Sequence, residues 1–303
     1  MVMSSCAPYN NLPTLGTMND LSYQYDTKYV KIADNLKIAY IEKGTGPETI
    51  VLIHGLGSYS PAWNRNIDEL SKQFRVMAID LPGYGKSDKP VHSGRMSYYS
   101  SVVVQVLDAL KLDKVILGGH SMGGQISMIT ALQYPDKVKK LILVDPAGFE
   151  KFHAGQRKWF KEIMTPNLVK LTTVEAIESN LATNFYRLPE EAKFMITDRI
   201  AMRHASDFDY YCWAVAKSVE GMVEEPVYNK LSDIKVPTLI FFGENDNLIP
   251  NRYLNPGFTK DIATDGASKI AGSKLIMVPK CGHFMMFEHP EVFNAEVIKF
   301  MNE

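Results

Sequence analysis

Cysteine is scarce in this chain: Cys6, Cys212 and Cys281 are the only three in 303 residues. They are too few for a disulfide framework, and no spacing among them suggests a zinc site. Long apolar runs are lacking too, since no stretch approaches the roughly eighteen residues of a membrane-spanning helix. Charge of one sign is missing as well. A net charge of -1 supplies no basic excess for phosphate neutralisation, which argues against nucleic acid as a partner. Repeats and low-complexity tracts are absent. The remaining composition, 46% hydrophobic and 22% charged, suits a globular protein with one extensive core and room for an inserted subdomain.

The N-terminal residues 1–24 read as a flexible arm. Met3-Ser4-Ser5-Cys6-Ala7 has the look of the end of a bacterial lipoprotein signal, and residues 7–22, with Pro8, Pro13 and Gly16, would suit a tether behind a lipidated Cys6. No hydrophobic region precedes this box, and methionine stands where leucine is expected. The preferred expectation is therefore an arm with a free thiol. Localisation follows the same branch: periplasmic or membrane-tethered if Cys6 carries lipid, cytoplasmic otherwise.

Downstream, apolar runs alternate with helical patterns, the signature of a mostly parallel sheet covered on both faces. The predicted strands are Lys28 to Ile32, Leu36 to Glu42, Thr49 to His54, Arg75 to Asp80, Lys114 to Gly118, Lys140 to Asp145, Thr238 to Gly243 and Leu275 to Pro279. Ala33-Asp34-Asn35 reads as a hairpin turn between the first two. From Phe149 to Tyr228 the alternation stops. This segment reads as a helical cap, 149–228, interrupting a core of 25–148 and 229–303. Thr172 and Ser206 have capping-box spacing to Glu175 and Asp209, Pro189 suits a first helical turn, and Gly221 suits a helix end.

Gly119-His120-Ser121-Met122-Gly123 follows one predicted strand and opens a helix, the context in which Gly-x-Ser-x-Gly forms a nucleophile elbow. Such a serine needs a base, an acid to orient it and donors for an oxyanion. Of seven histidines, His283 stands just past the last predicted strand, at the sheet edge predicted for Ser121. The acid has two serious candidates, Asp246 and Asp145, each at the end of a strand, with Glu244 behind them. Asp246 is preferred because the order Ser121, Asp246, His283 matches this hydrolase class. The expected oxyanion donors are the backbone N-H groups of Met122, after the nucleophile, and Leu56, in the loop His54-Gly55-Leu56-Gly57.

Together with Asp80-Leu81-Pro82-Gly83-Tyr84-Gly85-Lys86-Ser87, Gly243-Glu244-Asn245-Asp246, Gly282-His283 and Glu288-His289-Pro290, these residues make the chain resemble the α/β-hydrolase superfamily from about Tyr25 to Met301. The closest resemblance is to the esterase and lipase branch with Gly-His-Ser-Met-Gly-Gly, which includes the bacterial family V lipolytic enzymes. It implies an eight-stranded sheet flanked by helices, an inserted helical cap, and hydrolysis of small-molecule carboxylic esters of short to medium acyl length through an acyl-enzyme. No metal or organic cofactor enters that scheme. The Asp80 to Ser87 stretch is expected to be structural, with Asp88 exposed. A serine at the elbow argues against haloalkane dehalogenases and epoxide hydrolases, which resemble this fold but use aspartate there. Carbon-carbon bond hydrolases, cofactor-free perhydrolases and proline iminopeptidases share the serine and stand as alternatives. A slow-turnover ligand-binding receptor is the alternative of another class.

Overall fold

The computed structural model describes Tyr9 and residues 12–303; Cys6, with the free-thiol and lipid-tether readings weighed for it, lies outside the described residues. Eight strands form one sheet: β1 (Thr27–Lys31), β2 (Lys37–Lys43), β3 (Thr49–Ile53), β4 (Arg75–Ile79), β5 (Val115–His120), β6 (Val138–Val144), β7 (Thr238–Gly243) and β8 (Lys274–Val278). Their spatial order is β1-β2-β4-β3-β5-β6-β7-β8. The β1-β2 and β2-β4 pairs are antiparallel and the rest parallel. All eight lie within two residues of their predicted starts and ends, and the β1-β2 turn forms with Asp34 and Asn35 at positive φ.

Strand side chains alternate between two faces, and the sequence supplies apolar groups to both. Val51 and Ile53 of β3, with Leu117, Leu141, Leu143, Ile240 and Phe242, join one core cluster. Ile50 and Leu52, with Ile116, Ile142, Leu239 and Phe241, join the other. Helices α1 (Asn64–Leu70), α2 (Met96–Ala109) and α3 (Met122–Gln133) precede β6. Val103, Val106 and Ile126 of α2 and α3 pack into the first cluster, and Ile67 and Leu70 of α1 into the second. This two-sided burial, about 1.5–3 kcal/mol for each large apolar side chain, holds the sheet as a rigid platform.

Between β6 and β7 lie α4 (Ala154–Ile163), α5 (Pro166–Lys170), α6 (Val174–Thr183), α7 (Lys193–Met202) and α8 (Phe208–Glu224). Thereafter come α9 (Thr259–Lys269), α10 (Met285–Glu288) and α11 (Pro290–Asn302). Helix α8 is tied to the platform. Ser218 Oγ accepts from Tyr84 Oη and sits 2.8 Å from Tyr99 Oη, while Gln125 Nε2 donates to the carbonyls of Met222 and Glu225. Helices α4 and α5 rest on α8, leaving Trp159, Ile163, Leu168 and Leu171 exposed.

Several local expectations change. Gly221 lies inside α8 rather than at its end, because a Cβ there would meet Gly94 O at 2.1 Å. The α6 cap is Thr173, one residue past Thr172, and Ser206 Oγ donates to Gly16 O instead of capping α8. Pro189 precedes a short 3-10 turn. The arm is packed where it was expected to be loose: Leu15, Met18 and Leu21 are buried in the first cluster, and Met18 N-H donates to Asp207 Oδ1. Asp88 is half-buried, accepting from Lys37 N-H. No helix among the described residues is long and apolar enough to cross a membrane.

Candidate active site

Ser121 sits between β5 and α3 with φ 52° and ψ -117°. A non-glycine residue held there stores about 1–3 kcal/mol of strain, so its surroundings must enforce the conformation. They do so through backbone bonds: Ser121 N-H donates to Val144 O at 2.9 Å, and Ser121 O accepts from the N-H groups of Gly124 and Ala147. The helix also approaches the strand ends too closely for side chains. A Cβ on Gly123 would lie 2.4 Å from Ile53 O, and one on Gly119 would lie 2.2 Å from Gly123 O. The two glycines of the pentapeptide are therefore steric requirements of this turn.

His283 is fixed from three sides. Its N-H donates to Asn184 O at 2.7 Å, and its carbonyl accepts from His120 Nε2 at 2.8 Å. Its ring Nδ1 lies 2.7 Å from Asp246 Oδ2, and a carboxylate can only accept, so Nδ1 carries the hydrogen and Nε2 is the free basic nitrogen. Asp246 is buried at the end of β7, where its Oδ1 accepts from Leu248 N-H at 2.7 Å and Ile249 N-H at 3.1 Å. His120 is fully enclosed; burial, aided by the adjacent His283, lowers its pKa well below the ordinary histidine value and keeps it neutral. Its role is to hold the His283 backbone.

Asp145, the rival acid, points elsewhere. Its Oδ1 accepts from Gly243 N-H at 2.8 Å, whereas Oδ2 has no partner among the described residues. Burial, and secondarily the Asp246 carboxylate, raises its pKa well above the ordinary aspartate value, which favours the protonated form. Glu244 is exposed. Donor atoms of Asp145, Asp246 and His283 come within 4.8 Å of one another, a metal-like cluster. Hydrogen bonds engage every member, since His283 Nδ1 faces Asp246, Asp246 Oδ1 faces two amides and Asp145 Oδ1 faces a third. The cluster therefore fits an ion-free hydrogen-bonded network.

Ser121, His283 and Leu56 line one cavity of about 310 Å³, the size of a small-molecule site. Met122 is buried as the first residue of α3, a position whose N-H has no intrahelical acceptor. The Leu56 loop is set by His54, whose Nδ1 donates to Gly55 O and whose Nε2 accepts from Leu81 N-H. Phe152, Phe160, Met164, Met222 and Val223 supply much of the apolar wall, and no lysine or arginine contributes to the lining. Asp80, in the stretch expected to be structural, accepts from Tyr23 Oη, Ser60 N-H and Lys86 N-H away from this cavity. Cys212 and Cys281 are buried, and burial pushes both thiols up, so neither is a poised nucleophile.

Three residues near the site were not singled out in the sequence. Asn184 anchors His283, Glu288 accepts from Gly282, Tyr186 and Arg187 N-H groups, and Glu150 lines the cavity. Only Glu288 carried a signal, as part of Glu-His-Pro.

Comparison with known proteins bears on the fold and family. The model of the alpha/beta hydrolase fold family matches residues 48–290, and the chain belongs to that family. It is 30% identical over 300 residues to 2-hydroxy-6-oxononadienedioate/2-hydroxy-6-oxononatrienedioate hydrolase 1 of Pseudomonas putida, covering 94% of this chain and 99% of that one. A hydrolase of Escherichia coli named for the same two compounds is 32% identical over 280 residues, covering 88% and 91%. Among solved structures, a bacterial membrane phospholipase A superposes with a TM-score of 0.73 at 28% identity, covering 94% and 87%. A probable hydrolytic enzyme of Pseudomonas aeruginosa reaches 0.83 at 24%, covering 95% and 98%, a likeness of fold alone. The chain is thus a hydrolase-fold enzyme, and the relatives named for oxo-dienedioates put the carbon-carbon alternative ahead of the ester expectation.

Proposed function

We propose that the chain is a serine hydrolase in which Ser121 attacks a substrate carbonyl, His283 Nε2 takes its proton and Asp246 orients and charge-balances the imidazole. The N-H groups of Leu56 and Met122 hold the oxyanion. The observation that carries this reading is the Asp246–His283 bond standing behind a cavity that both His283 and Ser121 line. Similarity at 30–32% identity over nearly the full chain favours a carbon-carbon bond beside a ketone as the one cleaved. Attack forms a tetrahedral adduct. Its collapse breaks the bond to carbon, the departing carbanion leaves as an enolate and takes the proton from His283, and water then releases the acid from Ser121.

Ester hydrolysis by the same residues is the second reading, favoured by a largely apolar lining without a cationic side chain among the described residues. A dioate carries two carboxylates, and no lysine or arginine in the lining would receive either.

Two assays separate the readings: loss of the conjugated chromophore of a 2-hydroxy-6-oxodienoate monoacid, and release of nitrophenol from p-nitrophenyl esters of graded chain length. Each is run beside Ser121→Ala. The expected outcome is Ser121-dependent loss of the chromophore at a higher kcat/KM than any ester. Ester turnover with an inert dienoate would replace the first reading with the second. Turnover that survives Ser121→Ala would sink both.

A further inference from the structure

Glu150 leaves β6 through Asp145-Pro146-Ala147-Gly148-Phe149 and is buried, with 8% of its surface exposed. Its Oε1 accepts from Asn251 N-H at 2.9 Å and from Asn255 Nδ2 at 2.7 Å. These bonds clamp the loop after β7 to the loop after β6. They do not engage Oε2, which receives no hydrogen bond among the described residues, although the side chain lines the same cavity as Ser121 and His283. Cations are turned away from it. Lys151 places its ammonium 4.3 Å over the Tyr228 ring, and Arg157 donates to Phe152 O. No ion pair among the described residues includes Glu150.

A loop clamp alone would need only a neutral acceptor, and glutamine provides one of the same shape. A buried acid without a counter-cation is costly to keep, and burial raises its pKa above the ordinary glutamate value. Set into a largely apolar wall that has no cationic side chain among the described residues, such a group penalises a second carboxylate brought beside it and offers an acceptor to a hydroxyl.

We infer that Glu150 is a specificity-determining residue that, within the Ser121 cavity, disfavours a carboxylate placed beside its own carboxyl and accepts a neutral or hydroxyl group there. This rests on the reading of that cavity as the substrate site.

The kinetic test compares the mono-p-nitrophenyl ester of glutaric acid with its methyl diester at about pH 8, where a free glutarate carboxyl is ionised. The wild type is expected to favour the neutral diester in kcat/KM. In Glu150→Gln that preference should shrink about tenfold, through a lower KM for the acid with kcat little changed. Thermal unfolding of the variant should match the wild type, since the clamp persists. An unchanged preference in a variant with wild-type Tm overturns the proposal. A second measurement does not depend on turnover: calorimetric titration of Ser121→Ala and Ser121→Ala/Glu150→Gln with hexanol and with hexanoate. Hexanol should bind the single variant about tenfold more tightly than hexanoate, and the double variant should erase most of that gap. Equal binding of the two ligands to the single variant rejects the selectivity, whereas absent Ser121-dependent turnover with the gap intact rejects the catalytic reading alone.

Discussion

The sheet and the helices between β6 and β7 are held by different amounts of buried surface. Every residue of β5 and of β7 is buried, whereas in α4 only Gln156 is. Trp159 is 42% exposed and Leu171 75%. Ser121 and Asp246 follow the fully buried β5 and β7, and His283 follows the half-buried edge strand β8, while Phe160, Met164 and Val219 of the cavity wall come from the helical segment. The difference teaches a division of labour: positions that must hold to fractions of an ångström rest on the platform, and positions that select a substrate rest on elements free to vary.

The sharpest way to break this comparison is at the platform itself. Asp246→Asn should lower kcat by about 10⁴-fold, because the imidazole loses the partner that fixes its tautomer. Asp145→Asn should cost less than about tenfold, since its carboxyl faces the Gly243 N-H and not the imidazole. Steady-state kinetics of both variants checks this, and a larger loss at Asp145 would exchange the two roles. Next in size is packing. Phe242→Ala should destabilise by about 3–5 kcal/mol, and Trp159→Ala by under about 1 kcal/mol. Denaturant midpoints measure both, and similar losses would mean the helices are as tightly held as the sheet.

Gly221→Ala tests the seam between the two regions. Its new Cβ has no room against Gly94 O, so a loss of about 2 kcal/mol is expected, although alanine is the better helix former. A neutral or stabilising result in thermal melts would show that the seam is compliant. Smallest is a pH effect near the same seam. His92, stacked on Tyr98, is pushed down to about 4 by burial. The unfolded chain takes up a proton below about pH 6.5 while the folded one does not. Stability is therefore lost as pH falls from about 6.5 towards 4, by on the order of 2 kcal/mol. His92→Asn should flatten that part of the Tm-pH curve; an unchanged slope would place the titration elsewhere.

Legibility in the sequence follows the same division. Strands such as Val115–His120 were readable because burial on both faces writes continuous apolar runs, and the elbow because its turn tolerates so few residue types. Asp246 and His283 were readable as residues at strand ends, and the structure brings them together. Glu150, Asn184 and the packed part of the arm were not. Their partners lie about 100 or more residues away, and no local pattern records such a contact. Gly221 was misread because its reason is a neighbouring loop rather than its own helix. The bond that is cleaved was not legible, because it depends on the leaving group, about which the elbow says nothing.

The bonds from Tyr84, Tyr99 and Gln125 to α8 give the chain natural splice points. A transplant that exchanges residues from Phe152 to Ala205 while retaining α8 would leave those bonds, the Gly94 seam and the Glu150 clamp loop in place. Substrate range could then be exchanged as a cassette, provided the donor segment also supplies the carbonyl at 184 that holds His283 and the N-H groups at 186 and 187 that reach Glu288.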